Sequence, residues 1–163
     1  MSDNFIDEWL QYLDEQSRSA NTIAGYRRGL EHFQRWYMQT YGDAEFNPAG
    51  VLPKDFKDWI SFQNSVERTK PATTNLRVAA VRQFFTWLHE TGQISRNPAA
   101  NAKFLDLDNS DFKGLDEQAY KRFMRAVYEE EDPRNIAIIE AMVGAGLRVG
   151  EVLDLQVGDL VLR

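Results

Sequence analysis

Three of the chain's five prolines, Pro53, Pro71 and Pro133, each head a run of apolar residues that recur every three to four positions. Proline pre-sets a helical φ and lacks the N–H that a helix's first turn leaves unused, so it opens a helix well and sits badly inside one. Pro71 opens the strongest run, expected to be helical to about residue 89. There Leu76, Ala80, Phe84, Trp87 and Leu88 make one apolar face, broadened by Val81 and Phe85. Pro53 heads a helix with Phe56, Trp59, Ile60 and Phe62. Pro133 heads one with Ile136, Ile138, Ile139, Met142 and Val143. A chain punctuated in this way reads as all-α over most of its length.

The remaining segments fit the same pattern. Residues 4–16 read as an amphipathic helix through Phe5, Trp9, Tyr12 and Leu13, with Asn4 or Asp3 as its cap. Residues 16–21 form a polar break. Residues 22–41 read as a longer helix with Tyr26, Leu30, Phe33 and Tyr37 on one face, and Arg28, Glu31 and Arg35 opposite. Gly25 and Gly29, one turn apart, weaken that helix, so they mark close packing of a neighbour or close approach of a DNA backbone. Gly92 caps the Pro71 helix, and Asn97-Pro98-Ala99 closes a first domain over residues 1–100. A polar linker covers 101–114. In the last region, 115–163, Asp116 caps a helix over about 117–130, and a strand is expected from Gly158 onward.

Composition narrows the function. Cysteine is absent, which removes disulfides and thiolate metal sites; no cofactor or metal is implied. No apolar run approaches the roughly 20 residues of a membrane span, and the polar, acidic N-terminus is unlike a signal peptide. The expectation is a cytoplasmic protein with no membrane partner. The net charge of −6 argues against a nucleic-acid binder, but its distribution softens the argument. Residues 1–100 hold 11 basic and 12 acidic side chains, against 8 and 13 in residues 101–163. Basic segments lie at 18–35, with Arg18, Arg27, Arg28 and Arg35, and at 66–96, with Arg68, Lys70, Arg77, Arg82 and Arg96. Local clustering steers an anionic partner more than the total does. On the polar face of the Pro71 helix, Ala72, Asn75, Ala79, Arg82, Gln83 and Thr86 alternate small and hydrogen-bonding side chains. Such a surface could lie in a major groove, where Asn reads adenine and Arg reads guanine. It could equally be a solvated helix face.

The most concentrated chemistry is near the end. The Pro133 helix runs into Gly144 and Gly146, and a second apolar helix follows, with Arg148 between them and Glu151 three residues on. Buried, that arginine would be costly without an anionic partner. Glu151, one turn away, can hold it, and its planar fork suits phosphate. The two readings are a pre-positioned phosphate-binding arginine and an ordinary helix–helix turn with a surface ion pair.

The stretch Gly146-Leu147-Arg148-Val149-Gly150-Glu151-Val152-Leu153-Asp154-Leu155, followed by Asp159-Leu160, resembles the first catalytic box of the tyrosine recombinases, the phage-integrase family. Gly150 departs from the more usual serine or other small residue. Thr22, Tyr26, Leu30, Phe33 and Trp36 resemble the family's core-binding helix. Thr73, Asn75, Val78, Val81, Arg82, Phe84, Phe85, Trp87 and Leu88, then Gly92, Ile94, Asn97 and Pro98, resemble its later signature. The resemblance implies an orthogonal, SAM-like helical core-binding domain, followed by the truncated helical start of an α+β catalytic domain. It implies double-stranded DNA held in a C-shaped clamp, and cleavage and rejoining through a 3′-phosphotyrosine without metal or nucleotide. It assigns Arg148 as the first catalytic arginine and Glu151 as its support. Arg82 and Asn75 are the candidate base readers, Thr73 belongs to the same helix signature, and Arg28, Arg77 and Lys70 are the candidate phosphate contacts. After Arg148, where the resemblance places them, no H-x-x-R box followed by a tyrosine occurs within the 163 residues, so this chain alone is expected to be an inactive, monomeric fragment of a parent that assembles as a tetramer on paired sites. The alternatives are a non-enzymatic helical DNA-binding regulator and a helical protein-interaction domain.

Overall fold

The computed structural model describes residues 3–42, 45–107 and 114–159, apart from the side chains of Asp3, Asn4 and Val157. It divides into two compact units, Met1–Asp108 and Asn109–Arg163.

Among its described residues the first unit holds four α-helices, α1 (Asp3–Glu15), α2 (Ala20–Tyr41), α3 (Pro53–Ser65) and α4 (Pro71–Glu90), with a 3-10 turn at Pro48–Gly50 between α2 and α3. Local chemistry sets each boundary. Ser19 accepts the Thr22 N–H at 3.2 Å and starts α2 two residues earlier than the sequence suggested. Gly42, at φ 69°, ends it by donating to the Met38 carbonyl. Before α3, the buried Asp55 carboxylate takes the Leu52 N–H at 2.8 Å and the Tyr41 hydroxyl at 2.6 Å. Gly92, at φ 74°, lets the chain leave α4.

α2 and α4 cross at the centre. The core between them and their neighbours is aromatic: Trp9, Phe33, Phe56, Trp59, Phe84 and Phe85 are all fully buried. Phe33 stands at its middle, edge-on to Trp59, Phe46 and Phe85 and stacked on Phe56. Edge-to-face and offset pairs of this kind add to what area burial contributes. The crossing is close because α2 has Gly29 there: a Cβ on Gly29 would lie 3.1 Å from the Ala80 Cβ and 3.3 Å from the Arg77 Cα. Packing is thus the role of Gly29. Gly25 differs, since a Cβ there would meet only the Arg28 guanidinium at 3.9 Å.

Three expectations about the core are corrected. Tyr12 is exposed, and Ile6 and Leu10 take the buried places in α1. Trp87 is only half-buried. Leu76, expected in the apolar face of α4, is 72% exposed. α4 buries Thr74, Val78, Ala80, Val81, Phe84, Phe85 and Leu88 instead. It is sandwiched between neighbours, so its buried surface is wider than one stripe and rotated from the one that Leu76 marked.

The second unit holds α5 (Glu117–Glu129), α6 (Pro133–Gly144) and α7 (Val149–Asp154). Asp116 caps α5 by accepting the Ala119 N–H at 2.7 Å, and Asp132 caps α6. None of these three helices has a buried residue. At the place where a strand was expected, Val157–Asp159 form a 3-10 turn; the rest of that expectation, residues 160–163, lies outside the described residues. So does any cap from the side chains of Asp3 and Asn4, and so do linker residues 108–113. Among the described residues every regular element is helical, and no helix is long and apolar enough to cross a membrane.

Candidate nucleic-acid interface

Where α2 and α4 diverge from their crossing they leave a concavity of about 780 Å³, lined among others by Thr22, Gly25, Arg28, Arg35, Thr73 and Leu76. The exposed Arg28 and Arg35 have no carboxylate partner among the described residues, whereas nearby Arg27 is paired with Asp7 at 2.9 Å. Lys70, at the cap of α4, and Thr73, in its first turn, are exposed. Gly25 leaves the wall of the concavity without a side chain, so a ligand backbone can approach it.

Arg77 is the one groove arginine that is held. Its Nη1 donates to Glu67 Oε2 and to Gln63 Oε1, each at 3.1 Å. Behind it the Trp59 indole N–H donates to His32 Nδ1 at 3.0 Å. An indole nitrogen can only donate, so His32 Nδ1 carries no proton and its Nε2–H is left to donate to Glu67 at 2.9 Å. Burial above all holds the His32 pKa below its ordinary value, with the Glu67 bond opposing and Arg77 assisting. Burial pulls Glu67 upward, but the bonds from His32 and Arg77 outweigh it and the carboxyl ends below its ordinary value. Neutral His32, anionic Glu67 and cationic Arg77 therefore form one fixed set joining α2, α3, α4 and the α3–α4 connector. Sequence reading missed His32, Gln63, Trp59 and Glu67, because these partners stand up to 45 residues apart and follow no spacing rule.

The other two candidates on α4 do not face this groove. The Asn75 amide donates to the Leu105 carbonyl at 2.9 Å and accepts the Leu105 N–H at 2.8 Å. The Arg82 guanidinium lies 5.0 Å from the centre of the Phe104 ring, within cation–π range. Asn97 donates to Thr86, and Gln83 to the Tyr26 hydroxyl. On the polar face of α4, Asn75 and Arg82 are thus engaged by Leu105 and Phe104, whereas Ala72, Gln83 and Thr86 stay exposed, and the first half of the expected linker is bound to the helix.

In the second unit, Glu151 reaches back to Arg148 twice: it accepts the backbone N–H at 2.7 Å and the guanidinium at 3.0 Å. Gly146, at φ 70°, makes the turn into α7. The Arg148 side chain is 86% exposed rather than buried, so no desolvation cost arises there, and the pair is a surface clasp that orients the guanidinium. Among the described residues no cluster of His, Cys, Asp or Glu could hold a metal.

Residues 6–92 match the family model of the phage integrase N-terminal SAM-like domain. The chain belongs to the phage-integrase, or tyrosine recombinase, family. Tyrosine recombinase XerC of Neisseria meningitidis serogroup C is 30% identical over 162 residues, which cover 96% of this chain and 52% of that protein. Tyrosine recombinase XerD of Shewanella oneidensis is 30% identical over 166 residues, covering 99% and 53%. The TnP I resolvase of Bacillus thuringiensis is 21% identical over 161 residues, covering 96% and 55%. The chain thus spans about half the length of the curated relatives it matches. Among solved structures, a lambda integrase dimer bound to a COC′ core site matches with a TM-score of 0.72 and 17% identity, covering 97% of this chain and 42% of that one. The family's helical fold is shared.

Proposed function

We propose that this chain is the duplex-DNA-binding part of a site-specific tyrosine recombinase, with the α2–α4 groove following the phosphate backbone. The observation that carries this reading is the pair of unpartnered guanidiniums, Arg28 and Arg35, on the wall of a concave surface. In a molecule of net charge −6, DNA must be met by local charge. Arg28, Lys70 and the outer edge of Arg77 contact phosphates, and Thr73 offers a hydroxyl to the same strand. Asn75 and Arg82 serve the 97–105 segment in the free chain. The solved lambda integrase relative is itself bound to a core site, which supports a DNA partner here.

Arg148, steadied by Glu151, supplies one of the positive charges that meet the scissile phosphate, as fixed donors aimed at developing charge. The parent reaction on this reading is cleavage and rejoining through a 3′-phosphotyrosine. The isolated chain is a monomer, and tetramer assembly on paired sites belongs to the longer recombinase.

The test is a fluorescence-anisotropy titration against mixed-sequence duplex at two salt concentrations. Affinity should fall steeply with salt through counterion release. Arg28→Ala and Arg35→Ala should each weaken binding to all sequences and lower the salt slope by about one. Absence of binding at low salt, or binding indifferent to both arginines, would sink the groove as the DNA site.

A further inference from the structure

Leu76 is the anomaly of the groove. It lies on the second turn of α4, it is 72% exposed, and it shares the concavity with Thr73, Arg28 and Arg35. It contributes little to the core, and a polar residue there would suit water better. A lone exposed leucine elsewhere needs no explanation. Here it lines a concavity whose other walls are polar and charged, with Arg28, Arg35 and Arg77 outnumbering Glu31, and which also includes the bare backbone of Gly25. Duplex DNA presents one apolar group in its major groove, the C5-methyl of thymine, and apolar side chains read it by contact.

We infer that Leu76 is a specificity-determining residue that packs on a thymine methyl when α4 lies in the major groove. The inference deepens the DNA-groove reading and rests on it. The geometry divides the labour: Arg28, Arg35 and Lys70 meet the backbone and carry affinity without sequence information, whereas Leu76 reaches a base edge and carries discrimination. Asn75, the obvious base reader on this helix, is engaged with Leu105, so readout from this part of α4 falls to Leu76.

The experiment starts by selecting bound duplexes from a randomised pool with the 163-residue chain. Affinity is then measured for the selected duplex with each thymine replaced in turn by deoxyuridine, which removes only the methyl. At one position the wild type should lose about fourfold, the worth of one buried methyl-sized group. Leu76→Ala should lose nothing on that replacement, and Leu76→Met should restore the deoxyuridine penalty. Leu76 is exposed, so the variants are expected to fold, and their unfolding midpoints verify this. If no thymine position is selected, or Leu76→Ala keeps the same deoxyuridine penalty, Leu76 is not the reader, although salt-dependent binding would still uphold the groove. Loss of all duplex binding by the wild type would overturn both.

Discussion

His32 shows how one donor fixes the state of a whole network. Because the Trp59 N–H occupies Nδ1, protonating His32 breaks that bond, in keeping with a folded pKa below 6.5. Just under pH 6.5 the unfolded chain binds a proton that the folded chain rejects, so stability declines as pH falls through that window. The depressed Glu67 carboxyl adds a second decline: its contribution is present above its ordinary value of 4.5 and is lost as pH falls through the folded value. Urea midpoints from pH 8 to well below pH 4.5 should fall in two stages, and His32→Asn should flatten the first. The two glycines of α2 make an opposed pair. Gly29→Ala should destabilise by about 1–3 kcal/mol, because the added methyl meets Ala80 and the Arg77 backbone on a second rigid helix. Gly25→Ala should stabilise by about 0.5–1 kcal/mol, since space is open there and alanine favours a helix. Thermal or urea unfolding of the two variants decides the signs.

At the scale of elements, Asn75 acts as a substitute peptide group, pairing with both the N–H and the carbonyl of Leu105. Losing both bonds should raise the opening of this segment roughly tenfold, at about 1 kcal/mol per bond with some compensation from water. Trypsin reports it: in Asn75→Ala, cleavage after the exposed Lys103 should accelerate about that much, with a smaller change in global stability. An unchanged cleavage rate would mean that Phe104 and Arg82 hold the segment without Asn75. Most of the helical plan was legible in the sequence, because Pro53, Pro71, Pro133, Asp116 and Gly92 act within one turn of where they stand. Arg148 and Glu151, three apart, were legible for the same reason. What escaped was set by partners distant in sequence. The covering of Asn75 and Arg82 by residues 97–105, the rotation that exposes Leu76 and the setting of Arg77 each depend on where another segment lies, and spacing within α4 carries none of that.

At the scale of the molecule, the two units differ in how they are held. The first has an aromatic core with Phe33, Trp59 and Phe85 fully buried, whereas α5, α6 and α7 bury no residue. Amide hydrogen exchange should therefore be slowest in the middle of α4, near the global limit, and α5 to α7 should exchange orders of magnitude faster by local opening. Equal protection in both units would contradict this division. The attachment of Leu105 to Asn75 also bears on where the gene can be cut. A boundary drawn where the last helix and its Asn97-Pro98 turn end, near residue 100, looks natural on a diagram of helices. It would discard the strip of chain that satisfies the Asn75 amide and shields Arg82, leaving a polar seam open along α4. A stop codon after residue 107 keeps that strip. The first globule of this protein extends as far as a side chain's reach, to Leu105, five residues beyond the point that its helices suggest.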